Sequence, residues 1–122
     1  MDKSIGLSNW NTQIKKGYLE LCLLFLIKKR KRAYGFELLE LLKVHGLSIK
    51  EGTLYPLLSR LSKEGVLSAQ WEIAPDKGNP KKFYSVTDEG QNKAVQMKEE
   101  FLKMNQLLKE LSNNRSIKYY EQ

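Results

Sequence analysis

Three helical segments, two strands joined by a stretch of turn residues, and one long final helix follow one another along the 122 residues. This order predicts a mainly α fold of the α+β class, a winged helix-turn-helix with a two-stranded wing and a C-terminal helix. Two observations support the prediction. Leucines recur at helical spacing in residues 52–67, and polar and apolar residues alternate strictly in residues 69–73. The chain has room for one domain with a real core.

The first predicted helix covers residues 12–29. Its centre, Tyr18–Ile27, is apolar almost all round, so we expect protein on both of its faces, the rest of the domain on one side and a second subunit on the other. This stretch is shorter than the ~20 residues that span a bilayer, and it contains Glu20. We therefore expect a cytoplasmic protein without membrane contact. Cys22 lies in the same run and is interpreted as a small buried hydrophobe in a reducing compartment.

The second predicted helix is short and follows a run of five cations, Lys28–Arg32. Leu38, Leu39 and Leu42 line one of its faces, and Gly46 stands where a helix stop belongs.

The third helix is predicted to begin at Thr53 as its N-cap, with Pro56 in the first turn, and to end at Gly65. Leu54, Leu57, Leu58 and Leu61 form its apolar stripe. Stepping ~100° per residue from Leu54 turns a polar set outward: Tyr55, Pro56, Ser59, Arg60 and Lys63, with Thr53 on the flank. Hydroxyls and cations read base edges and bind phosphates, so this face is predicted to meet a DNA major groove.

The wing is predicted from the strand at residues 69–73, turn residues at 74–80 and a second strand at 81–86. Its tip carries Lys77, Lys81 and Lys82. Together with Lys28–Arg32 and the third helix, these cations are predicted to form one continuous positive surface. The formal net charge of +7, from 21 Lys and Arg against 14 Asp and Glu, favours polyanionic partners. The alternative for each basic segment is a solvated surface without a partner.

The last helix is predicted to start after Thr87, its N-cap, and to run to about Leu111. Its apolar residues are spaced by three and four, as in a coiled-coil seam, and a second copy of the chain is the natural cover for them. The predicted dimer interface comprises Met97, Phe101, Met104, Leu108 and Leu111. This divides the chain into a winged-helix DNA-binding domain with the first helix, residues 1–87, and a dimerisation helix with its tail, residues 88–122.

Three stretches carry a family resemblance: AYGFELLELL, GTLYPLLSRLSKEGVL and GNPKKFYSVTDEG. In this order and spacing, over roughly residues 17–90, they resemble the PadR family of bacterial transcriptional regulators. The resemblance implies a dimeric winged-helix repressor with a C-terminal dimerisation helix, often released from DNA by a small molecule. Carried over by position, it implies DNA-facing residues at Tyr34, Lys50, Thr53, Tyr55, Ser59, Lys81 and Lys82.

An effector site is a further hypothesis, because the resemblance implies that some members bind flat aromatic molecules between subunits. Met97, Phe101 and Met104 are flexible or flat side chains, and together with Trp10 they are predicted to bound a hydrophobic effector site near the dimer axis. The alternative is that these residues simply fill the core of a dimer, as methionine commonly does.

Enzyme chemistry finds little support in the sequence. The single histidine, His45, stands beside the Gly46 helix stop, and Cys, Asp and Glu show no metal-ligand or nucleophile spacing. We expect no catalytic residue, metal or cofactor. The order of elements and the basic surface predict a sequence-specific DNA-binding transcriptional regulator. The family resemblance implies that it is a homodimeric repressor, which we expect to bind a palindromic operator. The alternative is a winged-helix module for protein or RNA contact, because fold does not fix function.

Overall fold

The computed structural model describes residues 6–73 and 78–113. Its elements, in chain order, are α1 (Leu7–Arg30), β1 (Ala33–Tyr34), α2 (Gly35–Val44), α3 (Glu51–Lys63), β2 (Leu67–Ile73), β3 (Pro80–Val86) and α4 (Asp88–Ser112). Helices α2 and α3 form the helix-turn-helix, β2 and β3 form the wing, and α4 packs on α1. The predicted winged helix-turn-helix is confirmed.

The sheet has three antiparallel strands in the order β1-β3-β2, where the sequence predicts two. The third strand, β1, pairs Ala33 with Tyr84 and Tyr34 with Phe83. Two residues are too few for an alternating pattern to show, which is why the sequence does not reveal this strand. The wing is thereby joined to the start of α2.

The core lies between α1, α2, α3, the first half of α4 and the inner face of the sheet. The leucine stripe of α3 faces into it: Leu54, Leu58 and Leu61 are fully buried, and Leu57 is partly buried. On α1, the described residues include five buried ones between Leu19 and Ile27, whereas Cys22 is only half-buried, which corrects the prediction of a buried cysteine. The predicted rotation of α3 is therefore right.

Two helix starts differ from the prediction. Helix α3 begins at Glu51, because the backbone of Lys50 is extended and its carbonyl accepts from the amides of Thr53 (2.9 Å) and Leu54 (3.1 Å). Thr53 is therefore inside the first turn and is not the N-cap, and Pro56 stands in the second turn, where it offers no amide to the carbonyl of Gly52. Helix α1 already begins at Leu7, five residues before the predicted start.

The remaining helix boundaries follow their local signals. Gly46 and Gly65 adopt left-handed φ angles of 86° and 79° just past α2 and α3, as helix-stop glycines do. Thr87 caps α4: its Oγ1 accepts the amide of Gly90 at 2.9 Å and donates to the carbonyl of Gly65 at 2.6 Å. A Cβ at Gly90 would lie 2.1 Å from the Val66 carbonyl oxygen, so only glycine lets α4 start this close to β2.

Replacing Leu58 by alanine tests the packing of α3. We expect Leu58→Ala to lower the free energy of unfolding by about 2 to 5 kcal/mol, because it leaves a cavity in the core. Denaturant unfolding at fixed protein concentration measures the change. Ser59→Ala, one residue along and exposed, should change the stability by less than about 0.5 kcal/mol. Equal losses for the two variants would mean that the rotation of α3 is wrong.

Candidate nucleic-acid interface

The outward face of α3 carries the predicted hydroxyls and a cation. Tyr55, Ser59 and Lys63 are four residues apart and all exposed, so they share one side of the helix. The ring of Tyr55 packs over Gly35 at the start of α2: a Cβ at Gly35 would lie 2.3 Å from Tyr55 Cε1. The absence of a side chain at Gly35 thus leaves room for the Tyr55 ring, and Tyr55 remains 39% exposed.

Three further predicted contacts lie around this face. Lys50 is the residue that precedes the first turn of α3, Thr53 lies within that turn, and both are exposed. Tyr34 precedes the first turn of α2 and is half-buried. Because helix N-termini present free amides and a positive dipole end, these positions suit contact with phosphate.

Arg60 is exposed, as predicted, but its guanidinium is already paired. It donates to Glu20 of α1 at 2.7 Å and to Glu64 at 2.9 Å. Lys93 of α4 binds the same Glu20 carboxylate at 3.1 Å. Arg60 therefore ties α3 to α1 on the flank away from Tyr55, a role that the sequence did not indicate because Glu20 is distant along the chain.

The charges around Glu20 shift its protonation. Partial burial alone would raise the pKa of Glu20, but hydrogen bonds from Arg60 and Lys93, together with their charges, outweigh this and hold the pKa below its ordinary value. The hydrogen bond that Arg60 donates to Glu20, followed by the one that it donates to Glu64, raises the pKa of Arg60. Glu20 and Arg60 are thus held in their charged forms.

Two of the three predicted wing lysines, Lys81 and Lys82, stand on opposite faces of the sheet. Lys82 Nζ lies 5.7 Å from the centre of the Trp71 ring and 6.0 Å from that of Tyr84, on the face that also covers the core. Lys81 Nζ lies 5.0 Å from the ring of Tyr34 on the outer face. Strand alternation separates neighbouring side chains in this way. The third predicted wing cation, Lys77, lies outside the described residues.

Tyr84 on β3 lies close to both Lys82 of the wing and Tyr55 of α3. Tyr84 is buried beneath Lys82, and its pKa is raised by this burial and by the nearby phenol of Tyr55. Tyr84 therefore lies in the core behind two exposed predicted contacts, Lys82 on β3 and Tyr55 on α3. The sequence predicted these two residues but not Tyr84.

The basic run before α2 is divided by its partners. Arg30 forms an ion pair with Glu37, and Arg32 forms one with Glu72 while stacking 4.1 Å over the ring of Phe83. Lys28, Lys29 and Lys31 are exposed. The predicted single basic patch is therefore two structural arginines and three exposed lysines.

A groove of about 540 Å³ lies between α1 and α4. Met97, Phe101 and Met104, predicted as effector contacts, line it, and the Phe101 ring stands 5.5 Å from that of Tyr18. Ile14 of α1 lines the groove. Trp10, one turn earlier on the same helix, is exposed and is not among the lining residues. Beyond the groove, the predicted interface residues Leu108 and Leu111 are 61% and 59% exposed.

Within residues 6–73 and 78–113, the helices include none long and apolar enough to cross a membrane. In the same ranges, His, Cys, Asp and Glu form no group that could hold a metal ion.

Comparison with known proteins places this geometry in context. The model of the PadR-like transcriptional regulator family matches residues 23–96. A PadR-like transcription factor from Bacteroides fragilis is 33% identical, with a TM-score of 0.72 over 84% of this chain and 98% of that one. A PadR family transcriptional regulator from Eggerthella lenta is 29% identical, with a TM-score of 0.79 over 89% and 94%. A PadR-like regulator from Bacillus cereus is 30% identical, with a TM-score of 0.71 over 84% and 99%.

The lowered pKa of Glu20 makes the stability depend on pH. Its ionised form stabilises the fold above the ordinary pKa of 4.5, and that contribution is lost as the pH falls through the lowered value. We therefore expect Glu20→Gln to be less stable than the wild type at neutral pH and the gap to close in acid. Urea unfolding across this range measures it. The matched control is Glu99→Gln, on the exposed side of α4; a gap for Glu20→Gln that did not vary with pH would contradict the assignment.

Proposed function

The chain belongs to the PadR-like family of transcriptional regulators and is a DNA-binding regulator of transcription, not an enzyme; from this premise we propose that it is a repressor that binds a palindromic operator as a homodimer. The observation that supports the DNA-facing surface is that Tyr55, Ser59 and Lys63 are exposed together on the outward side of α3, while Lys82 is exposed on the wing. Repression is the mode that the family resemblance implies.

Helix α3 is the proposed recognition helix. Its outward side offers a phenol, hydroxyls and a lysine, groups that bind base edges and phosphates in the major groove. We assign direct contact to Thr53, Tyr55, Ser59 and Lys63, because they are exposed around this side. Arg60 is left out of the contact set, since two carboxylates already bind its guanidinium. Its proposed role is to hold the angle between α3 and α1.

Flanking contacts to the DNA backbone are assigned to residues at the edges of this surface. Tyr34 and Lys50 stand before the first turns of α2 and α3, where helix amides favour phosphate. Lys81 and Lys82 flank the wing on its two faces, so that a wing lying edge-on in a groove would bring one lysine to each side. Lys77 lies outside the described residues and is assigned from the sequence alone.

The proposed dimer uses α4. Met97 and Phe101 are half-buried against α1 of the same chain, whereas Met104, Leu108 and Leu111 are about 60% exposed. Leu7, Trp10 and Ile14 on α1 are also exposed apolar residues. A continuous apolar strip of this kind along two helices is costly in water, and a second copy of the chain is the cover that we propose.

The groove between α1 and α4 is the proposed effector site. Its volume of about 540 Å³ lies within the range of small-molecule sites, and aromatic and thioether side chains dominate one wall. We propose that a flat hydrophobic molecule binds between Tyr18 and the Met97, Phe101 and Met104 side chains. Trp10 lies outside this lining and would take part only from the rim.

DNA recognition is tested by selecting duplexes from a random pool. We expect a two-fold symmetric consensus, bound at least ~10³-fold more tightly than random duplex. A dimer with about eight phosphate contacts should show a log–log salt slope near −7. Lys82→Ala should reduce the magnitude of the slope by about one per subunit. The control is Lys98→Ala, which should leave the slope unchanged, because Lys98 lies on α4 over the ring of Phe25 on α1. Weak binding that ignores sequence would favour the protein or RNA module instead.

The effector site is tested with the fluorescent probe 1-anilinonaphthalene-8-sulfonate. We expect the wild-type protein to enhance its emission and Phe101→Ala to weaken binding several-fold, because the ring forms part of the groove wall. Val44→Ala, an exposed apolar position on α2, is the matched control. Identical titrations for all three proteins would show that the groove is filled by the dimer core and takes no ligand.

A further inference from the structure

The distal end of the wing exposes two large apolar side chains. Trp71 and Ile73 on β2 are 65% and 69% exposed. They are two and four residues beyond Ala69 on the same strand, so they lie on the same face of the sheet. Nearer the start of β2, this face packs on the core. The inner face of the wing therefore continues as an apolar surface past the point where the core ends, and Lys82 is the predicted DNA contact that borders it.

A cation is built into this surface. The register places Trp71 opposite Lys82, whose Nζ lies 5.7 Å from the centre of the indole ring. A lysine over an aromatic face is held by the ring's electrons while its remaining hydrogen-bond donors stay free. The Trp71 surface therefore combines a flat apolar plate with a positive charge at its edge.

The Trp71 surface shares Lys82 with the proposed DNA contacts. Lys82 is exposed, and its Nζ lies between the ring of Trp71, at 5.7 Å, and that of the buried Tyr84, at 6.0 Å. A phosphate bound by Lys82 would therefore lie beside the indole ring. This placement and the positive charge both point to the polyanion already proposed for α3, and a protein partner would gain less from the lysine.

We propose that Trp71 is a DNA contact, with its indole packed on the deoxyribose wall of the minor groove beside the phosphate that Lys82 binds. Deoxyribose presents apolar C–H groups between charged phosphates, which matches a ring flanked by a lysine, and apolar side chains that enter the minor groove are a known means of seating a protein there. The inference rests on the proposed DNA-binding function and adds the wing's inner face to it. Ile73, beyond Trp71 on the same strand, borders the contact.

The environment of Trp71 is measured directly in a Trp10→Phe background, because the chain has two tryptophans. Acrylamide should quench the exposed indole efficiently in free protein and several-fold less in the presence of the duplex selected from the random pool. The same protein without DNA but at the same salt concentration is the reference. Unchanged quenching on a duplex that is demonstrably bound would overturn the proposal.

Affinity distinguishes contact from mere proximity. Trp71→Ala should weaken binding of the same duplex about tenfold, a loss typical of a buried aromatic contact, and should leave the log–log salt slope unchanged, because the indole carries no charge. Lys82→Ala should reduce the magnitude of the salt slope. Val44→Ala should change neither the affinity nor the salt slope. Thermal melting of Trp71→Ala should match the wild type, since the ring is exposed.

The outcomes separate the two proposals. Should the wild-type protein bind no selected duplex, the DNA-binding function itself fails. Should it bind while Trp71→Ala keeps full affinity, only the wing contact fails and the exposed pair is left to a protein partner. A third outcome would also overturn the contact: Trp71→Ala loses affinity, but DNA does not protect the Trp71 emission from acrylamide in the Trp10→Phe protein. The ring would then act without touching DNA.

Discussion

The rotation of α3 about its own axis is the constraint on which the proposed DNA surface depends. Leu54, Leu58 and Leu61 are fully buried, and each would cost about 2 to 5 kcal/mol to remove from the core. A turn of the helix by one residue would move all three and drive polar groups inward. The core therefore decides that Tyr55, Ser59 and Lys63 point outward. Their own chemistry decides only what they bind.

A second constraint acts at the end of the same helix. Glu20 accepts hydrogen bonds from Arg60 of α3 and pairs with Lys93 of α4, so one carboxylate on α1 joins three helices. Its side chain is only 13% exposed, which makes this junction less screened than the surface pairs elsewhere. Lys93 also lines the groove between α1 and α4. The flank of the recognition helix and the proposed effector groove therefore share one ion-pair cluster.

Local signals in the sequence predicted much of this arrangement. Pairings between residues far apart along the chain could not be predicted from such signals. The leucine phase of α3, the Thr87 cap and the stop at Gly65 each depend on a few adjacent residues, and all are confirmed. The bond between Arg60 and Glu20 spans 40 residues, and β1 exists only because β3 lies beside it. The separation of Lys81 from Lys82 follows from strand alternation and was available in the sequence, as was the shared face of Trp71 and Ala69.

The arginines and the lysines of the described residues differ in the groups that they contact. Arg30, Arg32 and Arg60, the arginines among residues 6–73 and 78–113, each bind a carboxylate, as suits a planar group with several fixed donors. The lysines that border the proposed DNA surface either lie over aromatic rings, as Lys81 and Lys82 do, or are exposed, as Lys50 and Lys63 are. Lysine acts as a mobile point charge and suits phosphate better than a fixed base edge. Sequence discrimination by this surface would therefore fall to the hydroxyls and aromatic rings between the lysines, where the fixed Tyr55 ring is the best placed.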